Sequence, residues 1–491
     1  MNPIYIPIDV FSYTVTFPFI IVAIAAVALF NLDGKSADAF MLSSLSLSLA
    51  IFLYSFIEYI ASGLKTLHIV LLRSGEIELF GLIVDPISML IGFVVWTAGF
   101  AFMLYSVAYM TPENREHPVE RGKGRFYGWM MLFIAATVAF VFSSTLLQLL
   151  IFFELMTLSC WGVIAYYGEP QCYRAALKAF ITTHLGALLG LFIAIAVCFG
   201  TIGSVSLYDL KNLPSNIKLI VFLALLASAI TKSSQFPTYS WLPDAMVAPT
   251  PATAFLHGAA MIEMGVYLLA RGIQFLLPLP IEAYYVLLTV VSLTLIVTAL
   301  MYVVQRDSKR LLAYSTIAES ASMYAALVAA CLGIIRGIYV SMYILALHAY
   351  VKGLGFLTTG IFSYYMGGKT IDVVRGLLRA NGFTAFCWVV SLFGLAGLPP
   401  MPLFFAKLML LTVLIEALLK NPYTLALILA LLADLISFGI VAARWIHATV
   451  IPREAEVPQF RLNYIFTASL SLLLILLFII PYISEFIMYV V

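Results

Sequence analysis

Four lysines, Lys178, Lys232, Lys352 and Lys407, fall inside stretches of sequence that are otherwise apolar. Glu154, Glu263, Glu319 and Asp434 fall in stretches of the same kind. Residues of these types can pass protons. Burial lowers the proton affinity of an amine, a nearby carboxylate raises it, and moving the carboxylate's charge loads or unloads the amine. His348 and Lys352 are spaced i, i+4 and so share one helix face, which suits a relay. His257 and His184 lie in comparable runs. The alternative is that all these groups are polar ties between helices. Lysines spread over several segments favour an ion pathway, because ionisable groups held within a membrane mark conduction by default.

The elements that must hold these groups follow from composition. The chain has 491 residues, of which 63% are hydrophobic and only 10% charged; a typical soluble domain carries about 25% charged residues. The mean hydropathy is +1.06. Soluble, disordered, fibrous and disulfide-rich classes are excluded, leaving an all-α polytopic membrane protein. A span takes about 20 predominantly apolar residues, and fourteen such runs are present: 9–31, 38–61, 83–109, 126–144, 146–167, 173–200, 217–246, 252–277, 281–304, 309–331, 335–365, 383–416, 421–449 and 462–489. Residues 64–81 flank Arg73-Ser74-Gly75 and read as a β-hairpin outside the bilayer. An unpaired lysine at a span centre costs about 2.5–3.5 kcal/mol. Four would cost about 10 kcal/mol, comparable with the roughly 5–15 kcal/mol of net stability of a whole protein, so they must face partners or water.

Other chemistries find little support. A net charge of +2 gives no basic footprint, so no nucleic-acid partner is expected. The five cysteines, Cys160, Cys172, Cys198, Cys331 and Cys387, show no CxxC spacing, and neither a metal site nor a cofactor is expected. No Lys or Arg precedes the first apolar run, so no signal peptide is expected. No segment is long or polar enough for a soluble domain, so catalytic residues and redox cofactors are expected elsewhere. Fourteen Lys and Arg, among them Arg121, Lys309, Arg310, Lys369 and Arg453, fall on one side of the spans. Seven, among them Lys65, Arg73, Lys218 and Arg271, fall on the other. The bias places the first set in the cytoplasm and both termini, with the hairpin, on the extracytoplasmic side of a cell membrane.

Two spans contain prolines at membrane depth: Pro237, with Pro243 beyond it, in the seventh, and Pro399 and Pro400, with Pro402, in the twelfth. Proline breaks the helical ladder, and the freed carbonyls need a wet or protein-lined site. Breaks at corresponding positions of two halves point to inverted repeats and to the ion site. The expected organisation is therefore residues 1–125, three spans with the hairpin; 126–277, a first five-helix repeat; 278–449, a second; and 450–491, the last span. Ala176-Leu177-Lys178-Ala179-Phe180 aligns with Ala346-Leu347-His348-Ala349-Tyr350 and supports that pairing. Lys232 precedes its break and should sit at a half-helix carboxyl end, which favours the ammonium. Lys407 follows its prolines, where the dipole should disfavour it.

With these residues in view, the chain resembles the antiporter-like membrane subunits shared by respiratory complex I (L, M and N types), Mrp-type sodium/proton antiporters, and membrane-bound hydrogenase or sulfur-reductase complexes. Lys232-Ser-Ser-Gln-Phe-Pro237, Trp241-Leu-Pro-Asp-Ala-Met246, Pro249-Thr-Pro-Ala-Thr253 and His257 are similar to the signature KSAQxPxxxWLPxAMxxPTPxSAxxH. Phe153-Glu154-Leu155 resembles FWEL, Asp307-Ser-Lys-Arg-Leu-Leu-Ala-Tyr-Ser315 resembles DxKRxLAYS, His348-Ala-Tyr-Val-Lys352 resembles HAxxK, and Gly397-Leu-Pro-Pro400 with Lys407 resembles GxPPxxGFxxK. The resemblance implies two half-channels joined by a polar axis. Glu154 and Lys232 would form the pair of the first half. Lys178 and His257 would lead from it to the centre, His348 and Lys352 would continue the axis, and Lys407 would serve the second exit. Glu263, His184 and Glu319 stand beside this series as modulators.

Glu263 departs from the lysine of several relatives, and Pro402-Leu403 from the small residue and glycine after the double proline. Termination after the fourteenth span leaves no room for the lateral helix of L-type subunits, which suits an Mrp D-like, hydrogenase or sulfur-reductase form. The expected function is a non-redox, proton-translocating subunit of a multisubunit membrane respiratory or antiporter complex. Its partners are other membrane subunits, the lipid bilayer, and protons, with sodium as an alternative cargo. The alternatives are sodium/proton exchange within an Mrp-type antiporter, or a structural membrane subunit without transport.

Overall fold

Runs of apolar residues become helices because a backbone in hydrocarbon must satisfy its own hydrogen bonds. The computed structural model describes residues 4–5, 10–63, 65–451 and 459–489, with side chains at 11–63, 65–451 and 459–485. Arg453, counted above among the basic loop residues, lies outside the described residues. The first half comprises α1 (Val10–Leu29), α2 (Gly34–Ala61), α3 (Pro86–Tyr109), α4 (Lys123–Val141), α5 (Leu146–Ile164), α6 (Pro170–Ala187), α7 (Ile193–Ile202), α8 (Ser215–Lys232), α9 (Trp241–Asp244), α10 (Thr250–Gly258) and α11 (Met261–Leu276). The second comprises α12 (Ile281–Val303), α13 (Ser308–Cys331), α14 (Arg336–Met366), α15 (Ile371–Val374), α16 (Leu377–Ala380), α17 (Gly382–Leu395), α18 (Pro402–Lys420), α19 (Thr424–Val450) and α20 (Tyr464–Tyr489).

Among the described residues, fourteen helical stretches are long and apolar enough to cross a membrane. They follow the number and order of the expected spans, and the protein is an all-α, multi-pass membrane protein. Polar caps start several helices. Asp33 accepts from Gly34 N at 2.9 Å, Asp85 from Ser88 N at 2.8 Å, and Thr145 from Gln148 N at 3.2 Å. The apolar cores of the stretches 250–276, 308–331 and 336–366 are wholly buried in protein. Around them α1, α2, α12 and α19 turn apolar side chains outward, among them Ile24, Ile57, Leu300 and Ile440. One turn of α-helix is replaced by a π-helical turn at Leu188–Phe192 between α6 and α7. Ser228 Oγ fits into it, accepting from Leu191 N at 2.8 Å and donating to Gly186 O at 2.8 Å.

The expected hairpin forms. β2 (Leu67–Ser74) and β3 (Ile77–Val84) pair antiparallel around a turn at Gly75, whose φ is +60°, and β1 (Ile4–Tyr5) pairs parallel with β2. It docks through buried polar contacts. His68 Nε2 lies 2.9 Å from Glu78 Oε1, Ser144 Oγ donates to the same oxygen at 2.5 Å, and Gln148 Nε2 donates to Gly81 O at 2.9 Å. Burial alone would raise the Glu78 carboxyl, but the His68 and Ser144 hydrogen bonds and the His68 charge more than offset it and hold the group below its ordinary value. A depressed carboxyl adds stability above its unfolded-state value, about 4.3, and loses it as pH falls through the folded-state value. Glu78→Gln is therefore expected to flatten the acid side of the unfolding-temperature profile measured in detergent. An acid-side drop as steep as that of the unsubstituted protein would place its source elsewhere.

Candidate functional site

α8 ends at Lys232, and Pro237 lies in the irregular segment that follows. The carbonyls freed there are taken up by protein, as a break at membrane depth requires. Gln235 N and Thr238 Oγ1 donate to Ile230 O at 2.9 and 3.1 Å, and Trp241 Nε1 donates to Thr231 O at 3.0 Å. Lys232 is fully buried at this carboxyl end. Its Nζ donates to Phe153 O at 2.8 Å and Thr157 Oγ1 at 2.9 Å, and sits 3.8 Å from the centroid of the Phe153 ring.

The expected Glu154–Lys232 ion pair is not made. Glu154 Oε2 instead lies 2.9 Å from His184 Nδ1, while Oε1 has no hydrogen-bond partner. Helix geometry explains the difference. Phe153 and Thr157 face α8, and Glu154 is rotated from Phe153 by about 100°, toward α6 and His184. Lys178 also departs from its expected place on the way to the centre. Its Nζ donates to Asp244 Oδ2 at 2.7 Å and Ser240 O at 3.1 Å, and its side chain is 40% exposed. It lies at the mouth of a cavity of about 360 Å³, on the side away from the hairpin, with Arg174, Asp307, Arg310 and Lys369. Only eight residues, about 12 Å of helix, separate it from the start of α6.

At the centre the eighth span is itself broken. α10 stops at Gly258 and α11 starts at Met261, with Ala260 at φ −129°, ψ −98°. His257 occupies the last turn of α10 and Glu263 the first turn of α11. His348 Nε2 lies 3.4 Å from Glu263 Oε1 and 3.2 Å from His257 O. Neither Glu263 oxygen and neither His257 ring nitrogen has a hydrogen-bond partner. The first half is tied to this cluster through Ser233, whose Oγ donates to Ile262 O at 2.6 Å. Gly265 permits that approach, since a Cβ there would strike Ser233 Oγ and the Ala229 carbonyl. One turn beyond His348, Lys352 Nζ donates to Ser315 Oγ at 2.5 Å and Leu312 O at 3.2 Å.

The second expected break falls between α17 and α18, and contains Pro399 and Pro400. Pro402 is the first residue of α18, where a missing N–H and a fixed φ do no harm. Gly397 has φ +63°, and a Cβ on it would come within 2.7 Å of Lys407 Cδ. Lys407 Nζ donates to Glu319 Oε1 at 2.6 Å and Leu395 O at 2.8 Å. The dipole expectation for Lys407 is thereby corrected. Its side chain reaches back over the break to the carboxyl end of α17, so both break lysines donate to main-chain carbonyls, and Lys407 to a carboxylate as well. Beyond this pair, Thr298 Oγ1 donates to Asp434 Oδ1 at 2.6 Å.

Three basic residues counted with the loops prove to be buried: Lys218, Lys309 and Arg271. Lys309 Nζ donates to Ala248 O at 3.0 Å. Arg271 forks onto Asp85, with Nη1 to Oδ2 at 2.5 Å and Nη2 to Oδ1 at 2.7 Å. The signal available for Arg271 was its i+8 spacing from Glu263 within one apolar run.

Residues 143–436, more than half of the chain and including every lysine, glutamate and histidine of the series, match the NADH:quinone oxidoreductase/Mrp antiporter transmembrane family. The chain belongs to this family. Its relatives include the chloroplastic NAD(P)H-quinone oxidoreductase subunit 5 of Ipomoea purpurea, 31% identical over 348 residues, covering 67% of this chain and 47% of that protein. The same subunit of Oryza sativa is 31% identical over 349 residues, covering 67% and 45%. The chain thus spans about half the length of the curated relatives it matches. A chain of the archaeal membrane-bound sulfane sulfur reductase shares the fold, with a TM-score of 0.83, 20% identity, and coverage of 98% of this chain and 96% of that one. So does a chain of the Mrp complex from Dietzia sp. DQ12-45-1b, with a TM-score of 0.80, 23% identity, and coverage of 98% and 52%.

Proposed function

We propose that this chain is a non-redox, proton-translocating subunit of a multisubunit membrane respiratory or antiporter complex. The observation that carries the reading is the buried series running from Lys232 through Ser233 and Ile262 to Glu263, His348 and Lys352, and on through α13 to Glu319 and Lys407. Amine, carboxylate and imidazole alternate there in a low-dielectric layer, where each can hold a proton for the next. Glu154 and His184 act from the side on Lys232, and Lys178 stands at one mouth of the path. Spans four to eight and nine to thirteen are read as two repeats, covering 126–277 and 278–449, the first contributing the broken seventh and eighth spans and the second the broken twelfth. The chain sits in a cell membrane with both termini extracytoplasmic, beside partner membrane subunits that carry any redox chemistry.

A second reading, sodium/proton exchange within an Mrp-type assembly, draws on the fold shared with the Dietzia chain. The test is to purify the chain with its native partners, identify them, and reconstitute the assembly in liposomes holding a pH-sensitive dye. Proton movement driven by electron transfer is expected; movement driven only by an imposed sodium gradient selects the second reading. Sustained turnover without proton movement overturns both.

A further inference from the structure

The break at Ala259–Ala260 leaves α11 without a continuous hydrogen-bond ladder to α10, so the ladder does not set its rotation about its own axis. α11 carries Glu263, Tyr267 and Arg271 at i, i+4 and i+8, along one face over about 12 Å. At the far end Arg271 is held by Asp85, Tyr267 and Gln274, whose Oε1 accepts from Nη1 at 2.9 Å. Its Nη atoms fork onto Asp85, Nε donates to Tyr267 Oη at 2.8 Å, and Tyr267 Oη donates to Val141 O at 2.5 Å. Asp85 is itself fixed, as the cap of α3 in a reciprocal bond with Ser88. Arg271 and Asp85 are 2% and 4% exposed, and the two parallel hydrogen bonds make the buried pair bidentate.

At the near end Glu263 has no hydrogen bond of its own, and its close polar neighbour is His348 Nε2. A carboxylate held by no side-chain bond is aimed by the helix that carries it, and a rotation of one residue, about 100°, would swing it off His348.

We propose that the Asp85–Arg271 fork is a positioning device for the relay: it sets the rotation of α11 and so holds Glu263 against His348. This rests on the proton-translocating reading above. Neither member touches the path; both act through Glu263. The groups around that carboxylate are His348 and Lys352 on α14, His257 on α10, and Ser233 at the end of α8 through the Ile262 carbonyl.

The test uses the whole assembly in liposomes, with Arg271→Lys, which keeps the charge and loses the fork, and the exchange Asp85→Arg with Arg271→Asp, which restores opposite charges. Each is made with and without Glu263→Gln. Misplacing a reacting group by about 1 Å can cost up to about 10²-fold, and Arg271→Lys is expected to slow translocation by about tenfold or more on that scale. It should cause no further loss where Glu263→Gln is already present. The infrared carboxyl band that Glu263→Gln removes should shift in Arg271→Lys and return toward its place in the exchange. Equal losses in both backgrounds, or an unshifted band, overturn the proposal. If Glu263→Gln leaves translocation intact, the relay role of Glu263 falls, and the band alone decides whether Arg271 positions it.

Discussion

Replacing Lys232 by alanine is expected to cut proton translocation by about two orders of magnitude, the lower range of what a positioned proton-transfer group contributes. Assembly should be unaffected. The Lys232 ammonium is bound by a main-chain carbonyl, a threonine hydroxyl and the face of the Phe153 ring, with no carboxylate in direct contact. Its removal therefore leaves no buried counter-charge stranded. Thr157 retains the Phe153 carbonyl at 3.0 Å as its own acceptor. Native gels and dye-loaded proteoliposomes separate the two readouts. A wild-type rate in a normally assembled variant would make Lys232 a tie between helices.

Glu319 should behave in the opposite way, with stability and transport both falling. Its bridge to Lys407 is 2.6 Å long, with side chains 6% and 7% exposed. Removing one member of such a pair leaves a charge alone in protein, and Glu319→Ala is expected to destabilise by about 3–5 kcal/mol. Replacing both by apolar residues of similar volume removes the stranded charge. Glu319→Met with Lys407→Met should therefore recover most of the stability, since such replacements are often neutral or stabilising by about 1–4 kcal/mol. Translocation should stay lost. Denaturation in detergent reads the first quantity and proteoliposomes the second. A double variant as unstable as the single one would show that the pair does not set the cost.

These two sites differ in how visible they were before the fold was known. Lys232, Pro237, Pro399, Pro400 and Lys407 are legible because apolar length announces a span, and proline or charge inside it is costly wherever the span lies. The break at Ala259–Ala260 has no such mark: Gly258 and two alanines are compatible with a continuous helix, and tertiary packing decides otherwise. Arg271 and Lys309 lie close enough to span ends to pass for loop charges, and their partners Asp85 and Ala248 are distant in sequence. Lys178 errs the other way. It sits within an apolar run, but only eight residues past the start of α6 at Pro170, and Asp244 meets it at the surface. Glu154 makes its direct contact with His184 and not with Lys232, because the step from Phe153 to Glu154 changes the facing helix.

The central position of α13 and α14 has a consequence for how the protein meets different lipids. At 31 residues α14 is about 46 Å long, against roughly 30 Å of bilayer hydrocarbon. From Val340 to Tyr364 every residue is buried. A thinner or thicker bilayer is met by the tilt and side chains of the outer ring, α1, α2, α12 and α19. His348, Lys352 and Glu319 ride on the buried stretches of these helices, where their surroundings are protein. Hydrophobic mismatch is absorbed at the rim, and the charged layer keeps its dielectric surroundings as membrane composition changes.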